Sequence, residues 1–178
     1  MSVKVLFLAG VPASGKSTIF RKIREKHFTE PTEFTHGAAK GIAQGKLAML
    51  GVFDGSTFEG TDRLSMTVIN DAIAYAKTLD EDEGKHVLLV EGDRLFNARF
   101  LRETRASLIL IDAAPEVLEA RHRERGDDQT PAFLKGRRSK VENFAKKYRV
   151  GRIMNNNQAD QERIVLGISK LIEQWANN

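Results

Sequence analysis

Gly10-Val11-Pro12-Ala13-Ser14-Gly15-Lys16-Ser17 carries the strongest chemical signal in the chain. Its spacing, G-x-x-x-x-G-K-[ST], is that of a phosphate-binding loop. It follows the β-rich run Val3–Leu8 and opens a helix expected over Ser17–Lys26, the context the motif requires. In that setting the glycines let backbone amides close around phosphate oxygens, and the helix N-terminus adds positive potential. Lys16 reaches the outer phosphates and Ser17 ligates magnesium. Gly10, Ala13, Ser14, Gly15, Lys16, Ser17 and Thr18 are therefore the expected nucleotide-binding residues, with ATP as co-substrate and Mg2+ as its companion ion.

A second cluster, Glu91-Gly92-Asp93-Arg94, closes the apolar run His86–Val90. Strand ends of this kind present groups to the ligand in an open α/β sheet. Glu91 or Asp93 would hold the metal there, directly or through water; solvation of a strand end is the competing explanation. Asp54 ends another apolar run, Leu47–Phe53, and Asp62 stands in Gly60-Thr61-Asp62-Arg63-Leu64-Ser65. Phosphoryl transfer needs an acceptor hydroxyl placed in line and a carboxylate able to take its proton, with positioning and charge neutralisation supplying most of the rate. Asp54, Asp62 and Asp93 are the candidate bases. A turn before Gly55 competes for Asp54, and capping of a helix from about Arg63 to Leu79 competes for Asp62. Arg63 and Arg94 join Asp54 and Asp62 as expected acceptor-binding residues.

From Arg121 to Arg152 the chain becomes strongly basic. Arg121 and Arg125 are one helical turn apart on a shared face, so they can close together over transferring phosphate charge. Arg137 is expected at the acceptor, within a basic helical lid over roughly residues 121–150; an ordinary solvated helix is the alternative. Phe133, Phe144 and Tyr148 interleave with these charges, which suits either stacking on bases or packing of the lid. Asn155-Asn156-Asn157 offers amides to a purine base or makes a simple turn. His27, His36, His86 and His122 have no metal-ligand spacing, so no structural zinc is expected.

The elements that must position these groups alternate. Strand-like runs at Val3–Leu8, Leu47–Phe53, His86–Val90 and Ser107–Asp112 are separated by helical patterns, with Pro115 in a helical first turn and a last helix over roughly Ala159–Trp175. The stretch around Pro31 reads as irregular, and Asp80–Lys85 as an acidic turn. This alternation predicts an α/β fold with a mostly parallel sheet and helices on both faces. With 178 residues, 41% hydrophobic and 29% charged, one domain spanning 1–178 is expected. The chain has no cysteine, which excludes a disulfide framework and fits a cytoplasmic protein. The run Val3–Ala9 is too short to span a bilayer, so no membrane partner is expected. A net charge of +4 and a pI near 9.4 favour polyanionic partners.

The N-terminal loop, Glu91-Gly92-Asp93-Arg94, and Leu110-Ile111-Asp112-Ala113-Ala114-Pro115-Glu116 through Arg121, followed by Arg125-Gly126, together resemble the nucleoside and nucleotide kinase group of P-loop proteins. The resemblance covers most of the chain. It implies a parallel five-stranded core, ATP with magnesium, a lid carrying arginines, and transfer of the γ-phosphate to a hydroxyl or phosphate. Leu50-Gly51-Val52-Phe53-Asp54-Gly55 and Gly60-Thr61-Asp62-Arg63-Leu64-Ser65-Met66 are similar to the bacteriophage kinases that phosphorylate 5-hydroxymethyluracil within DNA during thymidine hypermodification. That narrower resemblance implies a hydroxymethyl acceptor on a base in polymeric DNA. A kinase of a free nucleoside, nucleotide or small metabolite uses the same parts, and a regulatory NTPase switch would share the loop.

Overall fold

The computed structural model describes residues 2–55, 59–82, 84–126 and 129–177. Strand β1, Lys4–Gly10, is buried along almost its whole length. Its side chains alternate between two cores: Val5, Phe7 and Ala9 enter one, Leu6 and Leu8 the other. A strand buried on both faces needs helices above and below it. Helices α1 (Lys16–His27) and α6 (Gln158–Asn177) cover one face through Ile19, Phe20, Ile23, Ile164, Ile168 and Ile172. On the other face lie α2 (Ile69–Glu81), α3 (Ala98–Glu103), α4 (Pro115–Arg125) and α5 (Pro131–Tyr148), contributing Ala72, Phe100, Leu118 and Val141. The architecture is a three-layer α/β/α sandwich. Among the described residues, no helix is long and apolar enough to cross a membrane.

The remaining strands are β2 (Thr32–His36), β3 (Ala39–Gln44), β4 (Leu47–Leu50), β5 (Val87–Glu91), β6 (Ser107–Asp112) and β7 (Arg152–Met154). They form one sheet in the order β2-β3-β4-β5-β1-β6-β7. The five strands from β4 to β7 run parallel, as the resemblance implied, while β2 and β3 extend the sheet as an antiparallel hairpin. That hairpin occupies the stretch expected to be irregular. Its outer strand, Thr-Glu-Phe-Thr-His, is largely exposed, so it lacks the apolar run by which the inner strands are recognised.

Parallel pairing brings the functional ends together. Leu8 pairs with Glu91, Gly10 with Ile111, and Asp112 with Met154, so the phosphate loop, the acidic strand end and the loop after β7 emerge on one side of the sheet. Two sequence expectations shift here. The strand expected over Leu47–Phe53 stops at Leu50, and the chain leaves the sheet until Val52 bridges Gly60. Ser56–Phe58, within the loop between Gly55 and Gly60, lie outside the described residues, as does Glu83 of the expected acidic turn. The helix expected from about Arg63 begins only at Ile69, preceded by a single 3-10 turn over Thr61–Arg63. Leu64 is extended, and Thr61 donates its hydroxyl to the carbonyl of Glu91, so Thr61 ties the segment to β5 where a helix cap was expected.

Candidate active site

Helix α1 begins at Lys16 directly behind the loop. Its first turn holds no acid, and among the described residues no side chain caps its N-terminus. Its first amides therefore keep the unmet donor capacity that an anion would satisfy. Gly15 has φ +85, a left-handed conformation, and a Cβ there would sit 2.5 Å from the Asn155 amide nitrogen. Gly10 ends β1, where a Cβ would collide with the Ile111 carbonyl, so its place in the loop is to admit β6. Ser14 is fully buried with its hydroxyl unpartnered. Ala13 presents its carbonyl to the Arg121 guanidinium at 3.3 Å. Thr18 follows Ser17 in the first turn of α1.

Ser17 donates its hydroxyl to Glu91 Oε1 at 3.3 Å. Glu91 is 4% exposed, and its Oε2 has no partner among the described residues. Burial raises its carboxyl to about 7; Lys16 and the Ser17 hydrogen bond pull the other way, while Asp62 and Asp93 push it up further. Two oxygens, from a hydroxyl and a desolvated carboxylate, side by side at the loop lysine fit a hard divalent cation. Ser17 and Glu91 would thus hold magnesium, and Asp93, the other metal candidate, is engaged elsewhere.

A cavity of about 670 Å³ opens from the loop toward α2 and α5. Lys16, Asp62, Asp93, Arg94, Arg125 and Arg137 line it, with Met66, Ile69 and Phe133 as apolar neighbours. Asp62 Oδ1 accepts the backbone amides of Asp93 and Arg94 at 3.2 Å each, and the Arg94 side chain returns a bond to the Asp62 carbonyl at 2.8 Å. Gly92 makes this turn possible: its φ is +104, and a Cβ would approach the Thr61 hydroxyl to 2.5 Å. Asp93 instead meets Arg137 at 3.2 Å and Lys140 at 3.8 Å, linking β5 to α5. Burial lowers the Lys140 pKa, opposed by Asp93.

Of the expected acceptor residues, Asp54 and Arg63 do not line this cavity. They pair with each other at 2.6 Å, and Asp54 borders a separate cavity against β2 and β3. The cause is the early end of β4, which carries Asp54 out on the loop before the chain returns at Gly60. Arg121 and Arg125 stand one turn apart as expected but take different partners: Arg121 the loop backbone, Arg125 the cavity. Burial and the neighbouring Arg125 lower the Arg121 pKa. The aromatic residues divide too. Phe144 packs on buried Phe96 at 4.3 Å and on Tyr148 at 5.7 Å, half-buried against the core, whereas Phe133 is 42% exposed and carries the Arg137 guanidinium 4.8 Å from its ring centre.

The three asparagines are structural in a way that composition does not show. Asn155 is fully buried and donates its side-chain amide to the Ser14 carbonyl at 2.8 Å, while its backbone amide meets the Asp112 carbonyl at 2.8 Å. Asn156 accepts from the Ala114 amide at 2.8 Å, and Asn157 from the Asp160 amide at 2.9 Å in the first turn of α6. Asn155 thus braces the phosphate loop from the end of β7. Asp112, 3% exposed, holds Arg152 at 3.0 Å and Arg138 at 3.7 Å and joins β6, β7 and α5. Its sequence signals are an acid at the end of an apolar strand and its place in the Leu110–Arg121 stretch that carries the family resemblance.

No curated protein matches the chain. A crystal structure of shikimate kinase from Bacteroides thetaiotaomicron is similar at 15% identity with a TM-score of 0.44, over 96% of this chain and 98% of that one. Residues 1–165 match the family described as P-loop Nucleotide Kinase3, and with the loop, Lys16 and the acidic strand end in place, the chain belongs to that family of P-loop kinases.

Proposed function

We propose that this kinase transfers the γ-phosphate of ATP to a hydroxyl, and that the acceptor is the 5-hydroxymethyl group of hydroxymethyluracil in DNA. The observation that carries the reading is the cavity in which Lys16, at the phosphate end, faces two carboxylates and three arginines. Hydrolysis alone has no use for so large a second site. A hydroxyl-bearing acceptor does, and the mixture of charge with exposed Met66 and Phe133 suits a base attached to phosphate.

The acceptor oxygen attacks the γ-phosphorus, the bond from that phosphorus to the ADP oxygen breaks, and the hydroxyl proton passes to a carboxylate. Asp62 is the proposed proton acceptor, because Asp93 is taken up by Arg137 and Lys140. Two backbone amides hold Asp62 in place beside Glu91. Lys16 and Arg125 face the charge that develops on the transferred group. Arg94 and Arg137 orient the acceptor, and Arg121 steadies the loop through Ala13. Ser17 and Glu91 would hold magnesium, which would supply charge neutralisation for the transfer.

The test is incubation with γ-labelled ATP and, in parallel, hydroxymethyluracil DNA, unmodified DNA, the free hydroxymethyl nucleoside and its monophosphate. Label on DNA only where the hydroxymethyl group is present supports the proposal. Label on free nucleoside or nucleotide alone refutes the DNA acceptor, and phosphate release with no labelled acceptor refutes transfer.

A further inference from the structure

At Pro12 and Gln129 the acceptor cavity adjoins a second cavity of about 450 Å³, set between the phosphate loop and the facing sides of α4 and α5. Its chemistry differs. Val11, Pro12, Pro115, Leu118 and Leu134 make most of its walls apolar; Lys135, Arg138, His122 and Gln129 stand among them, with Glu119, whose carboxylate pairs with Arg123 at 3.3 Å. The acceptor cavity, by contrast, sets four cations against two carboxylates. Each cavity falls in the roughly 300–1,000 Å³ range of a complete small-molecule site. With the donor phosphates at Lys16 and one acceptor nucleoside in the first cavity, the adjoining chamber has room for a longer acceptor.

The second chamber is mostly apolar surface at the mouth of a charged site, with prolyl and leucyl walls and two cations, Lys135 and Arg138, on its α5 side. A nucleobase joined by a phosphate to a neighbouring nucleotide has matching chemistry: a sequence-tolerant apolar face and one negative charge. We infer that the chamber is a subsite for the nucleotide next to the target in a nucleic-acid strand. The flanking base stacks against Pro12, Leu118 and Leu134, and Lys135 and Arg138 complement the intervening phosphate. Arg138 reaches Asp112 only at 3.7 Å, so that pairing does not consume its charge. This subsite rests on the proposed DNA acceptor and makes a demand of its own: the enzyme must prefer a strand to a single nucleotide.

The experiment measures KM for hydroxymethyldeoxyuridine monophosphate, for a trinucleotide with that residue at its centre, and for a single-stranded 12-mer, each with γ-labelled ATP. KM is expected to fall on the order of tenfold from mononucleotide to trinucleotide, through burial of the flanking base's apolar face and one charge-assisted phosphate contact. Leu134→Glu and Lys135→Glu are each expected to bring that ratio toward one, with circular dichroism and melting curves verifying the fold. Leu134→Ala serves as the milder variant if the charge unfolds α5. An equal KM for mononucleotide and trinucleotide would overturn the subsite while leaving the DNA acceptor standing. So would a ratio untouched by Leu134→Glu, or a KM for ATP that rises in its place, which would assign the chamber to the donor's base. Labelling of the mononucleotide with none on either strand overturns the acceptor and the subsite together.

Discussion

Replacing Glu91 by Gln is expected to stabilise the nucleotide-free protein while impairing its chemistry, and the stabilisation should depend on pH in a defined way. Glu91 is 4% exposed with one oxygen unpartnered, and its carboxyl moves from 4.5 to about 7 on folding. The folded protein therefore holds this proton more tightly than the unfolded chain. Between these two values it binds more protons than the unfolded state, so stability is complete below the lower value, falls as pH rises, and levels off above the higher one. At about 1.4 kcal/mol for each pH unit of the window, ionising buried Glu91 costs on the order of 3 kcal/mol. Glutamine keeps the shape of the protonated acid and does not titrate. For a chain of this length, Tm at pH 8 should rise by roughly 6–12 °C, with little change near pH 4.5. The assay is thermal or urea unfolding of wild type and Glu91→Gln in EDTA from pH 4.5 to 8; taking their difference cancels every other titrating group. A difference that stays constant across that range would refute the reasoning. The same variant should bind MgATP more weakly, because a neutral amide replaces the anionic partner of Ser17.

Asp62→Asn should lower kcat by about 10²–10⁴-fold in the transfer assay with ATP affinity retained, whereas Asp93→Asn should act mainly on acceptor KM by releasing Arg137 and Lys140. A kcat loss confined to Asp93→Asn would reverse these roles. Asn155→Ala removes the brace on Ser14 and should cost about 1–3 kcal/mol in urea unfolding while raising KM for ATP; unchanged ATP binding would show that the loop holds its shape alone. Gly92→Ala forces a Cβ onto the Thr61 hydroxyl at positive φ, so a loss of more than about 1 kcal/mol is expected, together with a drop in kcat as Asp62 shifts; near-normal stability and turnover would contradict it.

The sequence made the donor half legible because its chemistry is local. Eight consecutive residues set the loop, and the apolar runs on either side declare the strand and helix that carry it. Glu91 was legible for a related reason: an acid closing a buried parallel strand has one place to be. The acceptor half was obscured because its residues come from three segments and are joined by contacts that no spacing records. Thr61-Asp62 has the composition of a helix cap, yet Gly92 lets the chain pass close enough for Thr61 to bond the Glu91 carbonyl and for Asp62 to collect two amides. That tertiary use outcompetes the local one and delays α2 to Ile69.

The same contrast explains the displacement of Asp54. Its credentials were positional, an acid at the end of an apolar run, and they were identical to those of Glu91. What separates the two is where the strand stops. β5 carries Glu91 into the sheet beside Leu8, while β4 ends four residues before Asp54 and the chain turns away from the cleft. An acid at a strand end informs about function only when pairing holds it there. Asp62 meets the same condition by another route, since the Asp93 and Arg94 amides fix it to the end of β5. The proposed catalytic assignment therefore follows attachment to the central strands, which is why Asp62, weighed in the sequence as both a base and a cap, is preferred to Asp54 as the proton acceptor.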